Sequence, residues 1–197
     1  VNNDCRMDTV AGFALQLSTN NDYLQTSPLN YNGNQFSITA WIKPDTIQAQ
    51  YTGIVTHANS AQPAGIMLNN NNELMFQWQG AQWSWHSGLF VPVDSWSHVA
   101  LVIKPDRALV YLNGDSSVYN STMFPMQWSD ALVIGRYANW NSRNFTGQIE
   151  EVCIWDTSLT QVQIRAQMHL TKYEQQASSL LHYYQFNALG PKVLDRK

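Results

Sequence analysis

The stretch FTGQIEEVCIWDTSLTQVQI, residues 145–164, decides the fold. Its first half is rich in β-branched and aromatic residues, which predicts a strand. Its second half carries the start signals of a helix. Thr160 and Gln163 have the spacing of a capping box, and Leu159 and Ile164 have that of a hydrophobic staple. The stretch therefore predicts a strand that leads directly into a short helix.

Short apolar runs separated by turn residues continue on both sides of this stretch. In the run at residues 36–43 every second side chain is apolar, so one face is predicted to be buried. Asparagine-rich turns at residues 69–72 and 113–114 separate neighbouring runs. The predicted strands lie at residues 36–43, 53–57, 65–68, 74–79, 83–86, 98–103, 108–112, 132–135, 148–155 and 180–186. Many short strands with turn-rich spacers predict an all-β, two-sheet antiparallel sandwich with one short helix after the penultimate strand.

Three motifs follow one another in the order found in a known family of jelly rolls. The first reads WSHVA from Trp96, the second reads LVYLNG and ends at Gly114, and the third is the stretch quoted above. Together with residues 13–24 they resemble the laminin-G-like, concanavalin-A-like jelly-roll domains. The resemblance implies a jelly-roll sandwich in residues 1–170. Residues 171–197 would then form a connector and a terminal strand, similar to segments that join consecutive jelly rolls in longer proteins.

The same resemblance implies a disulfide between Cys5 and Cys153, because in these folds the first strand lies beside the strand that carries Cys153. In the chain-entropy model such a crosslink is worth on the order of 4 to 5 kcal/mol. The alternative is two separate buried thiols. Two glycosylation sequons, at Asn120 and Asn144, accompany the cysteines. Paired cysteines and sequons are typical of secreted or cell-surface proteins, so we expect an extracellular protein.

The charge pattern excludes some partners. The net charge is -3 and the 11 Lys and Arg residues are scattered, which leaves no basic patch for nucleic acid or anionic lipid. No apolar stretch is long enough for membrane insertion. The first residues lack the features of a signal peptide, so we expect a mature chain or an excised piece. The sequence does not set the oligomeric state.

The carboxylates lack the spacing of a glycoside hydrolase, which needs two of them flanking the scissile bond. Glu150 and Glu151 are adjacent on a predicted strand, so we expect their side chains on opposite faces. The histidines form no zinc-binding motif. His98, in a strand that is apolar on both faces, is interpreted as a hydrogen-bonded core residue. We therefore expect no catalytic activity, with a hydrolase or a polysaccharide lyase as less favoured hypotheses.

The resemblance also implies a calcium ion, which relatives often hold between the loop before a D-Y-L strand and the acidic residue of an I-D-E-V motif. In this chain those positions are Asn20, Asn21, Asp22 and Glu150. Their side chains offer the oxygen ligands that calcium prefers. Glu150 departs from the aspartate of the family pattern, and its extra methylene would displace the carboxylate. The alternative is that Asp22 caps a turn and that Glu150 faces solvent or an arginine.

The aromatic residues indicate a second kind of site. Trp83 and Trp85, two residues apart, would share one face of a strand, and Trp140 lies in a predicted loop with two arginines. A flat ring can stack on the apolar face of a sugar while amide and guanidinium groups bind its hydroxyls. The alternative is that these rings fill the core, as the family motifs imply for Trp96. The candidate ligand-binding residues are Trp83, Trp85, His86, Arg136, Tyr137, Trp140 and Arg143.

These observations lead to one hypothesis and one alternative. The protein is predicted to be a non-catalytic extracellular module of a larger protein that binds a carbohydrate or a glycoprotein. The alternative is a calcium-dependent protein–protein adhesion module. Because fold alone does not fix function, the binding hypothesis depends on the aromatic and amide-rich composition as well.

Overall fold

The computed structural model describes residues 13–59, 64–79, 81, 85–138, 140–169 and 178–186. Within these residues the chain forms strands and one short helix. The strands are β1 Leu15–Leu17, β2 Leu24–Pro28, β3 Tyr31–Gly33, β4 Phe36–Pro44, β5 Thr52–His57, β6 Gly65–Leu68, β7 Leu74–Gln77, β8 Ser97–Lys104, β9 Arg107–Leu112, β10 Asp115–Asn120, β11 Met126–Trp128, β12 Ala131–Ile134, β13 Gly147–Trp155 and β14 Leu180–Tyr184. The helix, α1, is Gln161–Gln167 and lies between β13 and β14.

Two antiparallel sheets form a sandwich. The first sheet has the strand order β1-β13-β4-β8-β9-β10, and β14 joins it by pairing with β13. The second sheet has the order β2-β12-β5-β6-β7, and β3 pairs with β11 in a separate ribbon. The predicted all-β antiparallel sandwich, with a short helix before the last described strand, is confirmed.

The main core lies between the two sheets. On β4 the alternation seen in the sequence sets which side chains enter it. The side chains that do so are Phe36, Ile38, Ala40 and Ile42. The opposite face of β4 is also buried in part, because Ser37 Oγ donates to Thr157 O (2.7 Å) and accepts from Leu159 N (3.0 Å). These bonds hold the segment before α1 against the outer face of the first sheet.

Helix α1 covers part of that outer face. Thr160 is its N-cap, and the predicted capping box with Gln163 is present. Leu159 and Ile164 are buried in a second apolar cluster with Trp155 of β13. The predicted start of the helix and its predicted apolar contacts are therefore both confirmed, and both depend on one local motif. No helix in the described part of the chain has the length and apolarity of a membrane span.

A β-bulge interrupts the pairing of β13 with β4. Glu150 lies opposite Trp41 and Cys153 lies opposite Thr39, with a register shift between them. Glu151, inside the bulge, has a left-handed φ of 52°. Two residues of β13 therefore oppose one residue of β4, and the regular alternation of side chains is lost there.

The bulge turns both glutamates to the outer face of the first sheet. Glu150 lies opposite Trp41, whose neighbours along β4 point into the core. The Glu151 carboxylate accepts hydrogen bonds from Tyr183 Oη and from Gln185 Nε2, and Tyr183 belongs to the cluster under α1. The prediction that the two side chains leave on opposite faces is wrong, because it assumed an unbroken strand.

The free edge of β13 is shared by two strands. β1 pairs with it near Gly147, and β14 pairs with it between Val152 and Trp155. The first described strand thus lies beside β13, as the resemblance implies. Cys153 is buried, but Cys5 lies outside the described residues, so the disulfide stays a prediction. The strand predicted at residues 180–186 is present as β14, whereas the division of the chain at residue 170 and a continuation into a further domain stay predictions.

Two other expectations about aromatic residues need correction. Trp85 and His86 lie in an irregular segment, whereas the sequence predicts a strand at residues 83–86. Trp96 is 40% exposed, although the family motif implies a core position. It precedes β8, which begins at Ser97, so the alternation of that strand does not extend to it.

Candidate functional site

The loop between β12 and β13 forms the candidate site, and we call residues 136–144 the arginine loop. It is closed by its own backbone: Tyr137 N donates to Arg143 O (3.0 Å), and Arg143 N donates to Trp140 O (3.2 Å). A β-bridge joins Arg136 to Asn144 at its base. Residue 139 lies outside the described residues. These bonds fix the shape of the loop without help from a ligand.

The arginine loop lies on the outer face of the second sheet. Thr56 Oγ1 of β5 donates to Arg136 O (2.8 Å) and accepts from Ala138 N (3.0 Å). Gly53 of β5 leaves room for this approach, because a Cβ at that position would collide with the backbone of Arg136 and Tyr137. Tyr137 and Ala138 are buried in a third apolar cluster on this face. The sheet therefore acts as a rigid support for the loop.

Three aromatic rings surround the guanidinium group of Arg143. Its Cζ atom lies 4.5 Å from the ring centroid of Trp140, 4.9 Å from that of Tyr51 and 5.0 Å from that of Tyr137. All three distances are within the range of cation–π attraction. The rings hold the side chain of Arg143 in one place by contact with its flat faces.

The second arginine is held more tightly. Arg136 is only 8% exposed, and its Cζ lies 3.4 Å from the ring centroid of Tyr23. Its Nε donates to Ala138 O (3.1 Å), and its Nη1 lies 3.5 Å from Asn141 Oδ1. Arg136 therefore stabilises the loop through Nε and Nη1. Its Nη2 has no hydrogen-bond partner among the described residues.

The three rings around Arg143 differ in exposure. Trp140 is 50% exposed, whereas Tyr137 is 2% exposed and its hydroxyl has no hydrogen-bond partner among the described residues. Burial raises the pKa of Tyr137, although the charge of Arg143 opposes this effect. The phenol thus stays protonated at neutral pH. Trp140 can meet a ligand, while Tyr137 supports Arg143 from below.

Trp85 and His86 occupy a different part of the molecule. The ring of Trp85 packs edge-on against Phe76 and Tyr119, at 5.5 and 5.6 Å between centroids. The exposed His86 places Nδ1 at 2.8 Å from Oε2 of the buried Glu73. Trp85 therefore contacts β7 and β10, and His86 contacts the turn before β7. Neither residue has a described contact with the arginine loop.

The Glu73 carboxylate is the centre of that second group. It accepts hydrogen bonds from Asn69 Nδ2 (2.9 Å) and Gly88 N (2.7 Å) in addition to the contact with His86. Burial raises the pKa of Glu73, but these hydrogen bonds outweigh burial and lower it below its ordinary value. Glu73 therefore ties the segment that carries Trp85 and His86 to the asparagine turn, which is a structural role.

Of the predicted ligand-binding residues, the structure brings four together: Arg136, Tyr137, Trp140 and Arg143. Trp83 lies outside the described residues. Sequence analysis missed Tyr23 and Tyr51, which complete the stacks on the two arginines. Both precede strands of the second sheet, and only the pairing of those strands with β12 places them beside the arginine loop. A single sequence carries no signal for that contact.

Asp22 and Glu150, the two acidic residues of the predicted calcium site, have no described contact with each other. Asp22 Oδ2 accepts hydrogen bonds from Ser18 N (2.9 Å) and Thr19 N (2.8 Å), and the bond from Ser18 is the main reason that its pKa is lowered. This is the turn cap that the sequence left open as an alternative for Asp22. Burial raises the pKa of Glu150, and the charge of Glu151 adds to the effect.

The described residues contain no group of three or more His, Cys, Asp or Glu side chains that could hold a metal ion. The amide oxygens of Asn20 and Asn21, both exposed, would have to supply most of the coordination. Calcium binding stays a prediction.

The two sequons differ in accessibility. Asn120 is exposed at the end of β10, whereas Asn144 is buried and its Nδ2 donates to Asn141 O at the base of the arginine loop. Asn120 is therefore the more accessible of the two acceptor side chains.

The chain resembles a known protein family over most of its length. The family described as the concanavalin A-like lectin/glucanases superfamily matches residues 18–165. No curated protein resembles the chain closely enough in sequence to count as a match.

Three solved structures have a similar fold. Domain 4 of AbnA, a GH43 extracellular arabinanase from Geobacillus stearothermophilus, was solved in complex with arabinotriose; it has a TM-score of 0.63 at 21% identity, over 78% of this chain and 75% of that chain. A candidate carbohydrate binding protein from Bacteroides ovatus has a TM-score of 0.68 at 20% identity, over 93% of this chain and 55% of that chain. A heptameric SAP-like pentraxin from Limulus polyphemus has a TM-score of 0.56 at 20% identity, over 77% of this chain and 78% of that chain. Identities of this size establish the fold alone.

Proposed function

The chain belongs to the concanavalin A-like lectin/glucanases superfamily, and from this premise we propose that it is a non-catalytic carbohydrate-binding module whose ligand docks on the arginine loop. The ligand is a free glycan or the glycan of a glycoprotein. The module acts outside the cell as part of a larger protein.

One observation carries this proposal: Arg143 is stacked between rings, and the half-exposed ring of Trp140 lies beside it, 4.5 Å from its Cζ. An exposed indole offers an apolar surface for the C–H face of a sugar ring, and a fixed guanidinium offers donors for its oxygens. The apolar and polar contacts must lie side by side, because one sugar ring carries both C–H groups and hydroxyl groups. The loop supplies them within one small surface.

The rigidity of the loop supports the same proposal. The backbone bonds within the loop and the two bonds to Thr56 hold its shape before a ligand arrives. A site that is already ordered loses less conformational entropy on binding. This matters for a carbohydrate, whose hydroxyl groups must be taken out of water at a cost.

A role without catalysis is supported by the chemistry of the site. The side chains in contact with Arg143 are aromatic, and hydrolysis of a glycosidic bond needs two carboxyl groups around the substrate. The glutamates that share a face, Glu150 and Glu151, lie on the first sheet, and Glu151 is engaged by Tyr183 and Gln185. The complex of AbnA domain 4 with arabinotriose is a case in which a domain of this fold was solved with a short oligosaccharide.

A comparison of two tryptophan variants tests the proposal. Affinity electrophoresis or calorimetry with a panel of plant, microbial and animal oligosaccharides should detect at least one ligand. Trp140→Ala should weaken its binding at least about tenfold, which corresponds to ~1.4 kcal/mol. Trp96→Ala is the matched control, because Trp96 is also partly exposed, at 40%, but lies before β8.

Equal melting temperatures of the two variants would show that the fold is intact. If Trp96→Ala weakens binding as much as Trp140→Ala does, the site is not the arginine loop; if no saccharide binds, the carbohydrate-binding function is contradicted. Release of reducing ends or unsaturated products from the same panel would contradict the absence of catalysis.

A further inference from the structure

We propose that the saccharide bound at the arginine loop is acidic, and that Arg143, assisted by Arg136, binds its carboxylate. This inference depends on the proposed function and makes it more specific, since it names the class of sugar. The ligand is a uronic or sialic acid residue, whose carboxylate is attached to the same ring that stacks on Trp140.

The charge at the loop is the first reason. The chain as a whole has a net charge of -3, yet the arginine loop places Arg136 and Arg143 in one site. The acid–base contacts found among the described residues are elsewhere: Arg107 pairs with Asp106, and His57 and His86, which are charged only when protonated, lie near Asp130 and Glu73. Neither loop arginine has a carboxylate partner in the described part of the chain. Partly buried charges are costly unless they are paired, so an anion from outside would compensate both groups.

The accessible donors of Arg143 are the second reason. The guanidinium makes no hydrogen bond with a described residue, and none of its nitrogens is among the buried polar atoms that lack a partner. Arg143 is partly exposed, and the rings of Trp140, Tyr51 and Tyr137 stack around its Cζ. The planar edge of a guanidinium matches the two oxygens of a carboxylate and can bind both at once.

The aromatic surroundings strengthen such a contact. Rings on its faces exclude water from the guanidinium and restrict its rotation, so less entropy is lost when an anion binds. The charge of Arg136 acts in the same direction, because its Nη2 has no described partner and its Nε and Nη1 are held by Ala138 and Asn141. Arg136 thus adds positive potential at the loop.

The size of the site favours an acidic sugar over a polyphosphate chain. Nucleic acid backbones are bound by extended sets of basic residues, whereas this loop offers two arginines and one exposed indole. A single charged sugar ring needs one carboxylate receptor and one stacking surface. The arginine loop provides that combination and no extended basic track adjoins it in the sequence.

Matched pairs of oligosaccharides test the inference. One pair is hexagalacturonate and its full methyl ester, and another is 3′-sialyllactose and lactose; the members of each pair differ in charge. In low-salt buffer we expect one acidic member to bind at least about tenfold more tightly than its neutral partner. The preference should decrease as salt is added, since screening weakens exposed charge pairs.

Arg143→Gln should abolish the preference for the acid, and Arg143→Lys should retain part of it, because the charge stays but the planar donor edge is lost. Arg107→Gln is the matched control: Arg107 is exposed and pairs with Asp106. Melting curves of all three variants identify any that fail to fold, and Arg143→Lys keeps the test valid if Arg143→Gln does not fold.

The outcomes separate this inference from the proposed function. If neutral sugars bind at the loop as tightly as acidic ones, the inference is overturned and the carbohydrate-binding function stands. If acids are preferred but Arg143→Gln leaves the preference unchanged, the assignment of Arg143 is overturned. If the panel of the preceding section and both acidic sugars all fail to bind, both proposals fail.

Discussion

His98 is a buried histidine with an unmet hydrogen-bonding need. Its side chain on β8 is 1% exposed, and its Nδ1 has no hydrogen-bond partner among the described residues. The sequence predicts a hydrogen-bonded core residue at this position. The burial of His98 is confirmed, but its Nδ1 forms no hydrogen bond with a described residue. The ring packs edge-on against Trp41 at 5.5 Å between centroids. Burial, with a smaller effect of His169, lowers the pKa of His98 to about 4.

This shift predicts a loss of stability in acid. The unfolded chain takes up a proton on His98 below pH ~6.5, but the folded protein does not until about pH 4. The stabilisation is therefore present above pH ~6.5 and is lost as the pH falls towards 4, by about 3 kcal/mol in total. In urea unfolding at a series of pH values, His98→Gln should remove this part of the acid sensitivity. An equally steep loss of stability in His98→Gln and in the parent would refute the prediction.

For Glu150 and Glu151 the predicted effect of pH on stability has the opposite sign. Burial raises the pKa of both, and the charge of Glu151 adds to the shift on Glu150. A carboxyl group with a raised pKa in the folded state stabilises the fold when protonated, and this contribution is lost as the pH rises through the folded-state pKa. Glu150→Gln should therefore melt a few degrees higher than the parent near neutral pH, where ~1 kcal/mol corresponds to about 2–4 °C. The difference should vanish near pH 4, and a variant that is less stable at neutral pH would contradict this account.

At the scale of elements, the attachment of the arginine loop to β5 determines the site. Thr56 Oγ1 binds both Arg136 O and Ala138 N, so one hydroxyl fixes the two ends of a short loop segment. Ala138 itself has a positive φ of 43°, a conformation that a non-glycine residue keeps when its surroundings hold it. The position of Trp140 and Arg143 depends on this attachment.

Thr56→Val tests the attachment. The variant keeps the shape of the side chain but leaves Ala138 N and Arg136 O without their partner, which should cost about 1–3 kcal/mol of stability. Glycan affinity should fall as well, because the loop is no longer held in place. Urea unfolding and calorimetry measure the two effects, and Thr56→Ser, which keeps the hydroxyl, should behave like the parent. Parent-like affinity in Thr56→Val would show that the loop does not need this support.

The elements that could be predicted are those with local signals. The capping box at Thr160 and the alternation on β4 depend on residues close together in the chain, and both are confirmed. β10 was not predicted, because the sequence DSSVYN is polar and becomes a strand by pairing with β9 at the edge of the sheet. The bulge at Glu151 was missed for the same reason: it arises from the pairing of β13 with β4.

For the molecule as a whole, the sequence predicts the sandwich and part of the site. Arg136, Trp140 and Arg143 could be found because they share one loop. Tyr23 and Tyr51 could not, since they reach the arginines only after β2, β12 and β5 pair. The site is thus a property of the second sheet, while the motifs that identify the family lie mostly in the first.

Calcium binding is also a question about the whole molecule, since a ligand of the native state stabilises the entire fold. If the site that the resemblance implies at Asn20, Asn21, Asp22 and Glu150 binds calcium, the melting temperature should be several degrees higher in excess calcium than in EDTA. Equal melting temperatures would contradict the site and would leave the turn at Asp22 closed by hydrogen bonds from Ser18 and Thr19 alone. Differential scanning calorimetry on the intact chain decides between these results.

Binding at the arginine loop is tested most directly by an NMR titration that follows side-chain N–H signals during addition of the best-binding oligosaccharide from the panel. We expect the indole N–H of Trp140 and the Nε–H of Arg143 to shift together and to saturate with the affinity measured by calorimetry, while the indole N–H of Trp96 stays unchanged. Saturating shifts at Trp96 or elsewhere on the first sheet, with Trp140 and Arg143 unaffected, would contradict binding at the arginine loop.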